Sequence, residues 1–238
     1  MEASQSSAVN NLADTIGEFN GVSYKIDHRG TDALLCVTLQ PKVSFYAQPG
    51  AMAAMSPEMT VKGKFNFSFT ELLTRGEMSK ICSTDFIQRI LLTTFTGPGE
   101  VLLSLSKCGD IVPIQLDGQT QWNIDRNGFL AMTDGVVKET KFQGFSKGMY
   151  SGENLFVDCI SGVGIIFVKS SCTIVQHHLK QNEQWIVNNG HLVAWNCPYS
   201  IEQIGSSLMS GMHSVEAFVY KFTGPGTVFI RVNTKRIF

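Results

Sequence analysis

An all-β chain built from internal repeats is what the sequence predicts, on three observations. The pentapeptide Phe95-Thr96-Gly97-Pro98-Gly99 returns unchanged as Phe222-Thr223-Gly224-Pro225-Gly226, and an apolar strand-like run follows each copy. The stretch from Ile111 to Met132 aligns without a gap on that from Ile174 to Trp195, matching Leu116 with Leu179, Trp122 with Trp185, Asn127 with Gly190 and Ala131 with Ala194. Between them run short segments rich in Val, Ile, Phe and Trp, broken every ~8–12 residues by Gly, Asn or Pro, the rhythm of sandwiches and barrels.

Residues 1–21 are expected to form an N-terminal arm. They carry no Lys or Arg, which argues against an Arg-rich presequence, and the helical spacing of Val9, Leu12 and Ile16 allows a short docking helix, a loosely ordered arm being the ordinary reading. Residues 22–238 then form one body of three pseudo-symmetric β-sandwich or barrel-like units, at about 22–94, 95–158 and 159–238, each burying a face against its neighbour. The first unit is the most diverged but keeps Val43 to Gly50 (VSFYAQPG), with Ala54 four residues after the glycine. Gly97-Pro98-Gly99 and Gly224-Pro225-Gly226 satisfy a type II turn, Pro pre-setting φ and Gly supplying a positive one, so the motif reads as a hairpin corner. Gly162-Val163-Gly164 is a weaker third copy. Asp85 to Leu92 could be read as a capped helix, but its place before the corner matches Glu153–Asp158 and Glu216–Tyr220, so a strand is expected. Lys138–Gly148 and Ile204–His213 read as loops joining units.

Composition narrows function. Lys and Arg number 19 against 20 Asp and Glu, a formal charge of −1, so the overall field does not gather phosphate backbones. Charged residues are only 16%, below the usual ~25%, which points to buried contacts between subunits. No apolar run is long enough to span a bilayer as a helix, so an integral membrane protein is not expected. Six scattered cysteines without a C-x-x-C pair read as free, mostly buried thiols in a reducing, intracellular setting.

The chemical candidates are weak. His177 and His178 are adjacent, so on a strand they face opposite ways, and His191 cannot complete a ligand set with one of them; no metal and no cofactor is expected. Ser161 lacks a base, and the acids Asp14 with Glu18 and Glu71 with Glu77 sit in tail or loop settings, so no catalytic residue is assigned. The glycine turns lead into strands, where a phosphate loop needs a helix. Lys221, Arg231, Lys235 and Arg236, interleaved with Tyr220, Phe222 and Phe229, form the candidate interaction patch. Stacking and phosphate contacts are one reading of it, and a charged strand end that discourages edge pairing is the ordinary one, so nucleic-acid binding is not expected. Met52, Met55, Met59, Met209 and Met212 read as core gap-fillers, and Trp122, Trp185 and Trp195 as core or interface anchors.

On Ser44–Met55 (SFYAQPGAMAAM), Phe95–Glu100, Asp110–Leu116, Val187–Trp195 (VNNGHLVAW) and Phe222–Ile230, the chain resembles the altered-inheritance-of-mitochondria family. The resemblance covers nearly everything from residue 22 onward. It implies three repeats similar to the small β-sandwich of the trp RNA-binding attenuation protein, a fold akin to the double-stranded β-helix, and a homotrimer with nine units in a ring. It implies neither an enzyme activity nor catalytic residues. A fungal member is linked to mitochondrial biogenesis and inner-membrane architecture, so the resemblance suggests a mitochondrial location where the residues themselves suggest the cytoplasm. The function expected is a non-enzymatic oligomeric scaffold with protein partners; a nucleic-acid-binding ring and a small-molecule or lipid-headgroup binder are the alternatives.

Overall fold

A computed structural model describes residues 15–65, 91–125, 127–142, 156–204 and 217–232. Within them are nineteen strands and one short 3-10 turn, Asn189–His191. None of the described helical structure is long and apolar enough to cross a membrane.

The strands are β1 Thr15–Phe19, β2 Val22–Asp27, β3 Leu34–Leu39, β4 Ser44–Ala47, β5 Met52–Met55, β6 Thr60–Phe65, β7 Leu91–Thr96 and β8 Gly99–Ser104. They continue as β9 Asp110–Asp117, β10 Trp122–Ile124, β11 Phe129–Thr133, β12 Val136–Phe142, β13 Phe156–Ser170 and β14 Thr173–Leu179. The chain closes with β15 Gln184–Asn188, β16 Leu192–Trp195, β17 Tyr199–Ile204, β18 Ala217–Thr223 and β19 Gly226–Val232.

Every described pairing between named strands is antiparallel, and one scheme of partners recurs along the chain. β7 lies between β4 and β6, the first half of β13 between β10 and β12, and β18 between β15 and β17. After each corner the chain changes sheet: β8 lies between β3 and β5, the second half of β13 between β9 and β11, and β19 between β14 and β16. In the fold the recurring set therefore starts at β3, β9 and β14. Each set also has one register shift at the same place, between Met52 and Ala54, Phe129 and Ala131, and Leu192 and Ala194.

The repeated glycine motif is a corner between sheets, where the sequence suggested a hairpin. β7 and β8 do not pair with one another, nor do β18 and β19. The Gly97–Pro98 and Gly224–Pro225 bonds are cis, and Gly99 and Gly226, at φ 138° and 157°, are far from the roughly 80° that a type II turn needs. Glycine is required ahead of each proline by crowding: a Cβ on Gly97 would collide with the Gln40 carbonyl oxygen, and one on Gly224 with that of Lys180. At Gly162-Val163-Gly164 the same change of partners happens inside one fifteen-residue strand, β13, with Gly162 at φ 95°.

Alternation along these strands feeds successive cores, because neighbouring residues point to opposite faces. Ile165 and Phe167 of β13 join the core of the first set, and Ile166 and Val168 join that of the second. On β19, Phe229 enters the second core and Val228 the third. Buried on both faces, such strands read as unbroken apolar runs, and each Val, Ile or Phe so placed contributes about 1.5–3 kcal/mol.

Several expectations change. Thr15–Phe19 is a strand paired with β2, so the arm does not extend to residue 21; residues 1–14 lie outside the described residues. Lys138–Phe142 belongs to β12 and not to a loop, while 143–148 fall outside. Ile204 ends β17 and the rest of Ile204–His213 falls outside, as does Asp85–Ile90; Leu91 and Leu92 begin β7. Met59 is buried, but Met52 and Met55 lie exposed on β5, and Met209 and Met212 fall outside. Of the described cysteines only Cys159 and Cys197 are buried; Cys36 and Cys172 are partly exposed and Cys108 is exposed, and all five are free thiols. Trp122 and Trp195 are core residues, and Trp185 is half-buried against the third core.

Candidate functional site

Of the candidate patch, the two described residues, Lys221 and Arg231, are each held in an ion pair of their own. Arg231 is on β19, an interior strand, so it does not guard an edge. Its Nη2 donates to Asp125 Oδ2 at 3.0 Å and its Nε to the Gly190 carbonyl at 2.6 Å. Asp125 is buried, so the guanidinium is held as the counter-ion of a carboxylate from another set. Lys221, on β18, faces Glu202 of the neighbouring strand β17 at 3.6 Å. Lys235 and Arg236 lie outside the described residues.

The histidines occupy three settings. His177 Nε2 is 3.5 Å from Glu183 and its ring lies 4.4 Å from that of Trp185. His178 Nδ1 meets Thr227 Oγ1 at 3.0 Å, and His191 Nδ1 donates to the Arg231 carbonyl at 2.8 Å. Among the described residues no three His, Cys, Asp or Glu side chains gather as metal ligands would. An open groove of about 490 Å³ runs between the β1–β2 turn and Val163, lined by Phe19, Val22, Lys42, Val43 and Asp134.

Buried charge is concentrated where sets and strands meet. Asp110, fully buried, accepts from Arg29 Nε and Nη2, at 3.0 and 3.2 Å, and from the backbone N–H groups of Ile111 and Ile174. Lys138 Nζ lies 3.2 Å from Asp158 Oδ2 and 5.1 Å from the Phe129 ring centre, while Thr140 Oγ1 donates to Asp158 at 2.6 Å. Lys169 donates to Gln48, and burial pushes its ammonium pKa down. These groups hold strands together, since a buried charge must be paired and hydrogen-bonded. Sequence reasoning missed them because each partner is distant in the chain.

Strands β4 and β10 do one further thing: each pairs with the set that follows. β4 pairs with β11, Ala47 opposite Ala131, and β10 with β16, Ile124 opposite Ala194. The third strand of this kind is β15, and no strand pairs on its far side among the described residues. At the other end β5, the counterpart of β11 and β16, is likewise the edge of its sheet. All four residues of β5 are exposed, Met52 at 45% and Met55 at 38%, and on β15 Ile186 is exposed at 51%. These two strand edges are the candidate site.

A family model described as mitochondrial biogenesis AIM24 matches residues 24–231. Among solved structures, the crystal structure of protein SPYM3_0169 from Streptococcus pyogenes superposes with a TM-score of 0.66 at 22% identity, over 89% of this chain and 93% of that one. At that identity the likeness carries the fold. A search of curated proteins found no match. The family match spans β2 to the end of β19 apart from two residues at its start and one at its end, and so takes in every recurring set, both corners and both open edges: this chain belongs to the mitochondrial biogenesis AIM24 family.

Proposed function

We propose that the protein is a non-enzymatic oligomeric scaffold, a homotrimer whose three sets of strands per chain act as attenuation-protein-like repeats and place nine units in a ring. The observation that carries this reading is the pair of unfinished sheets at the two ends of the fold. β3, β8 and β5 make half of a sheet, and β15, β18 and β17 make the complementary half. An exposed strand edge bearing apolar side chains is a template for pairing with another chain, and natural monomers normally blunt it with charge or proline. Neither β5 (MAAM) nor β15 (QWIVN) carries either.

The side chains support scaffold work over catalysis. The buried Asp110, Asp125, Lys138 and Asp158 and the partly buried Arg29 and Lys169 are engaged in structural pairs, and Arg231 is spent on Asp125 where a nucleic-acid surface would leave it outward. The free thiols suit a reducing compartment, the mitochondrion by family and the cytoplasm by sequence. Light scattering on the purified protein at low and high salt, with the 260 to 280 nm absorbance ratio of the same peak, tests it. A salt-stable trimer free of nucleic acid is expected; a monomer at micromolar concentration overturns the reading.

A further inference from the structure

We infer that β15 of one copy pairs antiparallel with β5 of the next, with Val187 opposite Ala54 and Ile186 opposite Met55, so that copies join by the same step that joins sets within the chain. The inference rests on the oligomeric reading above and adds the surface, the direction and the register.

The register follows from equivalent positions. Ala131 and Ala194, which receive the preceding set, each follow the register shift and lie opposite Phe167 and Phe229. Ala54 follows the corresponding shift and lies opposite Leu102. On the donating side, Ala47 and Ile124 lie opposite Thr93 and Asp158, and Val187 lies opposite Tyr220, at the same place in its own set. The internal junctions therefore read Ala47 to Ala131 and Ile124 to Ala194. The next term is Val187 to Ala54, which no single chain makes among its described residues.

Flanking bonds repeat as well. The N–H of Gln48 donates to Leu130 O and that of Asp125 to Val193 O, both at 2.8 Å, which leaves Asn188 N–H to donate to Ala53 O of the next copy. The chemistry of this junction differs in one respect. Internally a long cation crosses it, Lys169 to Gln48 and Arg231 to Asp125. The corresponding side chains at the seam are Ser104 and Asn188, both neutral, and the contact is apolar, Met55 against Ile186 and Trp185. A junction of this kind is insensitive to salt. Because the patch on β15 differs from the patch on β5, the contact is head-to-tail and closes into a ring when the rotation allows.

Two pairs of variants test the register. Residues opposite one another without exchanging backbone bonds bring their Cα atoms to ~4.5 Å, within disulfide range, and Val187 and Ala54 form such a pair because Asn188 and Ala53 exchange the bond. Ala54→Cys with Val187→Cys should cross-link between copies under mild oxidation, whereas Met55→Cys with Val187→Cys should not, since beyond the register shift a step of one residue turns the side chain to the other face. Independently, Ile186→Asp, at an exposed position, should reduce the mass in solution to that of one chain with its circular dichroism unchanged, and adding Met55→Lys should restore the assembly. Cross-linking in the shifted pair, or none in either while Ile186→Asp still assembles, overturns the register and leaves the scaffold reading standing. A wild-type monomer overturns both.

Discussion

Two equivalent places in the fold are filled with opposite chemistry. In the second set, Lys138 on β12 meets Asp158 on β13, with Thr140 directly opposite the carboxylate. In the third, Tyr199 on β17 stacks on Tyr220 of β18, ring centres 5.4 Å apart, with Ile201 directly opposite. The cross-strand geometry is the same: Lys138 lies opposite Ile160 and Tyr199 opposite Phe222, each one step diagonal from its partner. Asp158 and Tyr220 are both buried, at 2% and 3% exposure. The backbone scheme thus specifies a filled, buried pair and leaves its chemistry open. The two solutions differ in how they fail. An ion pair loses most when one member is removed, because the other stays charged in the interior, whereas an aromatic pair loses contact area.

The largest expected effect comes from breaking the ionic version. Asp158→Ala removes the carboxylate that neutralises Lys138 and should lower stability by about 3–5 kcal/mol, measured by urea unfolding. Importing the aromatic version, Lys138→Tyr with Asp158→Tyr, should recover most of that loss, since apolar replacement of a buried ion pair is often neutral or stabilising by about 1–4 kcal/mol. A double variant as unstable as the single one would show that the sites are not interchangeable.

A smaller, pH-dependent effect belongs to the third set. Burial, and then the neighbouring Tyr199 and Asp125, raise the Tyr220 phenol above its ordinary value. Its native form is therefore the neutral one. Its contribution is complete below the unfolded value of about 10 and is lost as pH rises toward the higher folded value. Stability should fall more steeply above about pH 10 in the wild type than in Tyr220→Phe, and parallel curves would remove the phenol from the account. Least of all, Lys221→Ala, which opens a partly exposed pair with Glu202, should change stability by under about 1 kcal/mol.

The parts of this fold legible in the sequence are those where neighbours in the chain decide the outcome. The identical corners and the gapless match of Trp122 with Trp185 and Ala131 with Ala194 mark equivalent strands, because crowding at Gly97 and Gly224 demands the same residue each time. Turn chemistry did not say which strands would pair across the corner, since backbone angles at Pro98 and Gly99 carry no information about β3 or β5. Lys138-Glu139-Thr140-Lys141 looked like a loop because its neutralising partner, Asp158, lies on another strand. Arg231 looked like surface charge for the same reason: Asp125 comes from another set. The open edges were invisible until the pairings were known. An edge strand and an interior strand share one apolar pattern, and β5 and β16 differ only in whether β15 or β10 finds them.

Amide hydrogen exchange of the native protein tests that difference most directly. If β15 pairs with β5 between copies, the N–H of Asn188 should exchange as slowly as those of Gln48 and Asp125, and should become fast in Ile186→Asp while the other two stay protected. Fast exchange at Asn188 in the wild type, with Gln48 and Asp125 protected, would mean that the two half-sheets remain open and that the copies do not join there.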